Sequence, residues 1–119
     1  MAKHTIDAKD KTLGRLATQI ANLLQDKNLP SYAPHKEGEN KVIVKNVHLL
    51  KVTGKKATQK IYKRHSDRPG NLKEQKFADV FSKTPERVLL SAVKGMLPKN
   101  RLLVPRLKIF LIYFFSHCL

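Results

Sequence analysis

"KVIVKN", residues 41–46, places three consecutive β-branched residues, Val42, Ile43 and Val44, between lysines. Branched side chains favour extended backbone, so the segment reads as a strand. Alternating apolar and polar residues would mark a strand with one wet face. An unbroken apolar run instead suggests cover on both faces, as in a parallel sheet. Parallel strands need crossover connections, and the flanking sequence supplies candidate helices. Upstream, Thr12 has the character of an N-cap, and Leu13, Leu16, Ala17, Ile20, Leu23 and Leu24 follow at helical spacing. This predicts an amphipathic helix over about 13–26, its apolar stripe most simply part of the core. "HTIDA" (4–8) reads as a strand before it, and the proline- and glycine-bearing stretch 26–40 as a loop.

Downstream, "HLLKVT" (48–53) is a second strand candidate and "KIYKRH" (60–65) a further extended segment. "SDRPGN" (66–71) is a turn. "KFADVFSK" (76–83) sets Phe77, Val80 and Phe81 on one helical face. Thr84-Pro85-Glu86 then opens a helix: Thr84 can cap, Pro85 suits the first helical position, and Glu86 complements the positive end of the dipole. Leu89, Ala92, Val93 and Met96 recur on its apolar face, and Pro98 ends it at about Leu97. "RLKIFLIYFF" (106–115) reads as a last strand. Strands alternating with helices predict an α/β layer architecture. The length, 119 residues, suggests a single domain, 1–119.

The charge is lopsided. Lysines and arginines number 24 against 9 acids, a formal net charge of +15. Such an excess destabilises a compact chain through self-repulsion unless a polyanion offsets it. Between Lys41 and Lys76 there are eleven cations and only two acids, Asp67 and Glu74, and after Glu86 no side-chain carboxylate follows. Nucleic acid, RNA or DNA, is the natural partner, because cations that neutralise phosphates dominate such affinity. Tyr62, among Lys60, Lys63, Arg64 and His65, is either a platform for an unpaired base or a core residue. A membrane-surface role would want a basic helix with a broad apolar face, and the cations here fall mostly in loops and strand edges. The longest apolar run, "IFLIYFF" (109–115), is far short of the roughly 20 residues that span a bilayer. The N-terminus has no apolar core of a secretory signal. The single cysteine, Cys118, allows no intrachain disulfide and fits a reducing compartment.

Signals of catalysis are absent. Gly54-Lys55 lacks both the upstream glycine and the following Ser or Thr of a phosphate-binding loop, since Leu49 and Lys56 stand there. The histidines 4, 35, 48, 65 and 117 are scattered, and only His117 and Cys118 adjoin, too few for a metal site.

Four stretches together, "TLGRLATQIANLL", "YAPH", "VTGKKATQKIYKRHSDRPGNLK" and "PERVLLSAVKGMLPKN", resemble the L-thirteen family of large-subunit ribosomal proteins in its bacterial form. The likeness runs from about Ile6 to Leu102, with an echo at 106–110, giving a family-like core of about 6–110 and a divergent tail, 111–119. It implies a three-layer α/β/α domain around a mainly parallel four-stranded sheet. It also implies a cytoplasmic structural protein of the large ribosomal subunit, with no catalytic activity and no cofactor. Its partners would be large-subunit (23S-type) rRNA, bound early in assembly, and neighbouring ribosomal proteins, with neither a membrane nor a small-molecule substrate. The alternative role is an extra-ribosomal regulator acting on messenger RNA. The RNA-facing motifs carry over onto Tyr32, His35, Lys55, Lys56, Lys60, Lys63, Arg64, His65, Lys94 and Lys99. Arg15 contacts RNA or anchors the first helix. Arg101, Arg106 and Lys108, in the acid-free last third, complete the set. Two departures stand out: Glu39-Asn40 replaces the usual Gly-Asp before the second strand, with the glycine displaced to Gly38, and the tail reads "LIYFFSHCL". Phe110 is expected to be buried, and much of 111–115 to be covered only by rRNA or a neighbouring protein.

Overall fold

The run Val42-Ile43-Val44 forms the central strand of a parallel sheet. The computed structural model describes residues 2–112, the side chain of Leu111 excepted. Along the chain come β1 (Lys3–Asp7), α1 (Leu13–Leu24), β2 (Lys41–Lys45), a 3-10 turn (Val47–Leu49) and α2 (Lys56–Gln59). There follow β3 (Ile61–His65), β4 (Leu72–Lys76), α3 (Phe77–Lys83), α4 (Pro85–Met96), α5 (Leu103–Lys108) and β5 (Phe110–Ile112). The fold is mixed α/β. β1, β2 and β5 make an all-parallel sheet in that order, and β3 with β4 makes a separate antiparallel ladder.

The register explains which face is core. Ile6 pairs with Val44, and Val42 with Phe110, so these side chains share a face, and all four are buried. Both crossovers step the same way along the sheet, and right-handed connections therefore put their helices on that one face. There α1 contributes Leu16, Ala17, Ile20 and Leu24, and α4 contributes Leu89 and Val93. On the other face Thr5 is exposed and Ile43 only half-buried. The apolar run thus signalled the parallel pairing correctly, but cover on both faces and a second helical layer are not found among the described residues. Phe110 is buried, as its sequence suggested, and Ile112 is half-buried against the core. The expectation for 113–115 lies outside the described residues.

Among the described residues the parallel sheet has three strands rather than four. The expected strand at 48–53 is instead a turn. Asn46 takes a left-handed conformation (φ 58°) that swings the chain out of β2. Val47 and Leu50 then point into the core while His48 and Leu49 face out, a spacing of three that suits a 3-10 turn and not a pleat. A single parallel bridge, Thr12 to Lys51, is what remains of extended pairing there. The last strand begins at Phe110, later than predicted, because residues 103–108 are helical. Pro105 sits in the first turn of α5, where its missing N–H is harmless, and Leu103 and Leu107, four apart, pack against the core.

Helix starts at Thr12 and Thr84 stand where expected, although neither hydroxyl caps its own helix. That of Thr84 donates back to the Val80 carbonyl of α3 at 3.4 Å. α1 stops at Leu24, followed by Asp26 in a left-handed conformation, whose carboxylate accepts from the amides of Glu39 (2.6 Å) and Asn40 (3.3 Å). Gly38 passes so close that an added Cβ would lie 2.5 Å from the Leu24 carbonyl oxygen, at φ 102°. The displaced glycine is therefore required where it stands. Phe77, Val80 and Val88 form a second, smaller cluster that carries the β3–β4 ladder, with Tyr62 against it. Met96, expected on the buried face of α4, is 43% exposed.

Candidate nucleic-acid interface

The β3–β4 ladder is the part of the molecule least able to stand alone. Every β4 side chain is exposed, and so is every β3 side chain but Tyr62. Its two large aliphatic residues, Ile61 and Leu72, are 43% and 54% exposed. A two-stranded ladder without a buried face is marginal in water. Its turn is closed locally: Asn71 Nδ2 donates to Ser66 Oγ at 2.7 Å, with Gly70 in the left-handed region.

Its cross-strand pairs are dominated by cations. Arg64 lies directly opposite Lys73, and like charges so placed repel. Lys63 opposes Glu74, but their charged atoms are 3.9 Å apart and solvent-exposed, so that pair holds little. His65 and Lys76 add to the same ladder. A surface that sets cations opposite one another is destabilised in isolation and stabilised by an anion laid across it.

Lys55 and Lys56 lie just ahead, in and beside the single turn of α2, which follows Gly54 in the left-handed region. Lys60 ends that turn and holds its ammonium 5.2 Å from the centre of the Tyr62 ring. Phe77 stacks on the same ring at 6.3 Å. The Tyr62 ring is thus engaged within the chain and packed against the small cluster, closer to the core reading of it than to an open base platform. Partial burial pushes its hydroxyl up from the ordinary tyrosine value, and the nearby Arg87 charge pulls the other way. It remains a protonated donor at neutral pH.

The other candidate residues are spread more widely. Arg15 is exposed near the start of α1, Lys94 lies exposed in the last turn of α4, and Lys99 and Arg101 follow it in an exposed turn. Lys108 is exposed at the end of α5. Tyr32 and His35 are exposed in the 26–40 loop, and Tyr32 borders a cleft that also presents Asp26, Glu37 and Glu39, so that face is mixed in charge. Arg106 does not belong with them. It is 2% exposed, and its guanidinium donates to the carbonyls of Lys36 (3.0 Å) and Glu37 (3.2 Å), fastening α5 to the loop. A side chain so enclosed is not presented to RNA.

Sequence reasoning missed that Lys73 and Lys76 of β4, and Arg87 of α4, join the same cationic surface. The turn at 66–71 was the available signal: a turn after one extended basic segment implies a partner strand, and β4 is that partner. Among the described residues no three His, Cys, Asp or Glu side chains gather to hold a metal ion, and no helix is long and apolar enough to cross a membrane.

Comparison of the sequence with known proteins gives a family match. The family described as "Ribosomal protein L13" matches residues 2–114. The "Large ribosomal subunit protein uL13" of Prochlorococcus marinus strain MIT 9301 is 56% identical over 97 residues, covering 82% of this chain and 68% of the relative. That of Synechococcus elongatus is 49% identical over 110 residues, 90% of this chain and 73% of the relative. That of Trichormus variabilis is 50% identical over the same length and shares. The chain belongs to the ribosomal protein L13 family of the large ribosomal subunit.

Proposed function

We propose that the chain is a structural constituent of the large ribosomal subunit that binds 23S-type rRNA through its basic ladder and loops and supports early subunit assembly. It is not an enzyme, and its place is the cytoplasmic ribosome, beside neighbouring large-subunit proteins. The observation that carries the reading is the ladder itself, exposed along β4, with Arg64 set against Lys73 and only Glu74 in opposition. The RNA-facing set is Arg15, Tyr32, His35, Lys55, Lys56, Lys60, Lys63, Arg64, His65, Lys94, Lys99, Arg101 and Lys108, joined by Lys73, Lys76 and Arg87. Arg106 is withdrawn from it because its guanidinium is held inside. The chain is taken as one domain over 1–119. The three-layer form with a four-stranded sheet stays a family-level expectation, of which the described residues carry three parallel strands and one helical layer.

Sedimentation tests the reading. The protein should co-migrate with large subunits at near-stoichiometric level and leave them only at high salt. Recovery mainly in ribosome-free fractions with messenger RNA would overturn it in favour of a regulatory role.

A further inference from the structure

A small cleft opens between the β3–β4 ladder and the first half of α4, with a volume of about 150 Å³. Val80 and Val88, both buried, line it with apolar surface, and Tyr62 borders it. Four cations surround it: Lys63 and Arg64 from β3, Lys73 from β4 and Arg87 from α4. No carboxylate lines it; Glu74 lies on the same ladder, paired with Lys63 outside the cleft lining. Gln75 and Ser91 complete the wall with an amide and a hydroxyl.

We propose that this cleft takes one unpaired pyrimidine nucleotide of the bound RNA strand. The inference rests on the RNA-binding reading above and names where that RNA is gripped. Three features point the same way. Apolar surface inside a ring of cations suits a ligand with a flat, poorly charged body and a phosphate attached. The guanidinium groups of Arg64 and Arg87 are planes on which an unstacked base can lie, a role the engaged Tyr62 ring leaves open. The Tyr62 hydroxyl, Gln75 and Ser91 supply the mixed donors and acceptors that a base edge requires. Size favours a small base: about 150 Å³ is the volume that holds a single six-membered ring such as benzene, the size of a pyrimidine ring. Lys63 and Lys73 are left for the flanking phosphates.

The test is photocrosslinking of the full chain to a 23S-type rRNA fragment carrying 4-thiouridine, with the attachment point mapped by mass spectrometry. Crosslinks are expected in the peptides holding Tyr62–Arg64 and Arg87–Ser91. Ser91→Trp, which fills the cleft from an exposed helix position, should cut that crosslink and weaken rRNA binding about tenfold, in line with the loss of one stacked base. The salt dependence should hold, because no cation is removed. Normal rRNA binding with crosslinks only elsewhere overturns the cleft assignment and leaves the RNA-binding reading intact. Crosslinking as strong from 6-thioguanosine overturns the choice of a pyrimidine. A protein neighbour crosslinked to Ser91 in intact subunits overturns a nucleotide occupant. Absence of salt-sensitive rRNA binding removes both readings together. Should Ser91→Trp misfold by circular dichroism, the unmodified chain's crosslink map decides alone.

Discussion

Replacing Arg106 by methionine separates two roles that its sequence position could not. Methionine keeps most of the aliphatic stem, so the cavity left behind is small. What is lost is the guanidinium and its two bonds to the carbonyls of Lys36 and Glu37. Each bond from the charged guanidinium to a part-buried carbonyl contributes about 1.5–3 kcal/mol, giving about 3–6 kcal/mol for two. Releasing a buried charge from its desolvation penalty returns part of that. The expected net loss is about 2–4 kcal/mol, which in a domain of this size lowers the melting temperature by roughly 10 °C. Thermal and urea melts followed by circular dichroism read it directly. Affinity for rRNA, measured well below the melting temperature, should change less than threefold. A variant as stable as the parent that binds rRNA an order of magnitude more weakly would refute the argument and return Arg106 to the RNA-facing set.

Four further outcomes are expected. The rRNA binding constant should fall as a power of salt concentration, each phosphate contact adding roughly 0.7–0.9 to the slope; a flat response in filter-binding titrations would contradict the ladder's role. Alanine at Lys55, Lys56, Lys60 and Lys63 together should weaken binding while leaving the circular dichroism spectrum intact, since all four are exposed. In α4, Val93→Ala should cost roughly 1–3 kcal/mol and Met96→Ala less than about 1 kcal/mol, because Val93 is fully buried and Met96 is not. Asp7, lowered from 3.8 chiefly by the Lys9 amide and also by Asn46, stabilises the fold while ionised. Its small contribution is present above its unfolded value and lost as pH falls through the lower folded one, so acid titration of Asp7→Asn should show a correspondingly flatter stability profile.

Helices were legible wherever apolar spacing was long and regular. α1 and α4 follow from their own periodicity, and their starts from Thr12 and Thr84. The parallel strand at 42–44 was legible from its branched run. What escaped was structure decided by single backbone conformations or by distant packing. Asn46 in a left-handed turn, not composition, ends the strand pairing before residue 48. Residues 103–108 are helical because Leu103 and Leu107 meet the core and Arg106 reaches the 36–37 loop, contacts with no local signature. β4 was hidden because "LKEQK" is exposed throughout and alternates with nothing. At the candidate interface, the basic run marked the strand that carries Tyr62 and Arg64, but strand pairing brings Lys73 beside it and the packing of α4 brings Arg87. Arg106 shows the converse: a cation in an acid-free segment that serves the interior.

The weakly held ladder also bears on the fate of surplus protein. Its anchorage to the rest of the chain runs through the small cluster of Phe77, Val80 and Val88, apart from the main core. Segments with so little buried surface open locally far more often than the whole domain unfolds. On the proposed RNA-binding reading, a copy free of RNA would offer a protease the lysine- and arginine-rich backbone around 60–76, and a copy lying against phosphate would not, so limited trypsin digestion with and without rRNA should differ first in that segment.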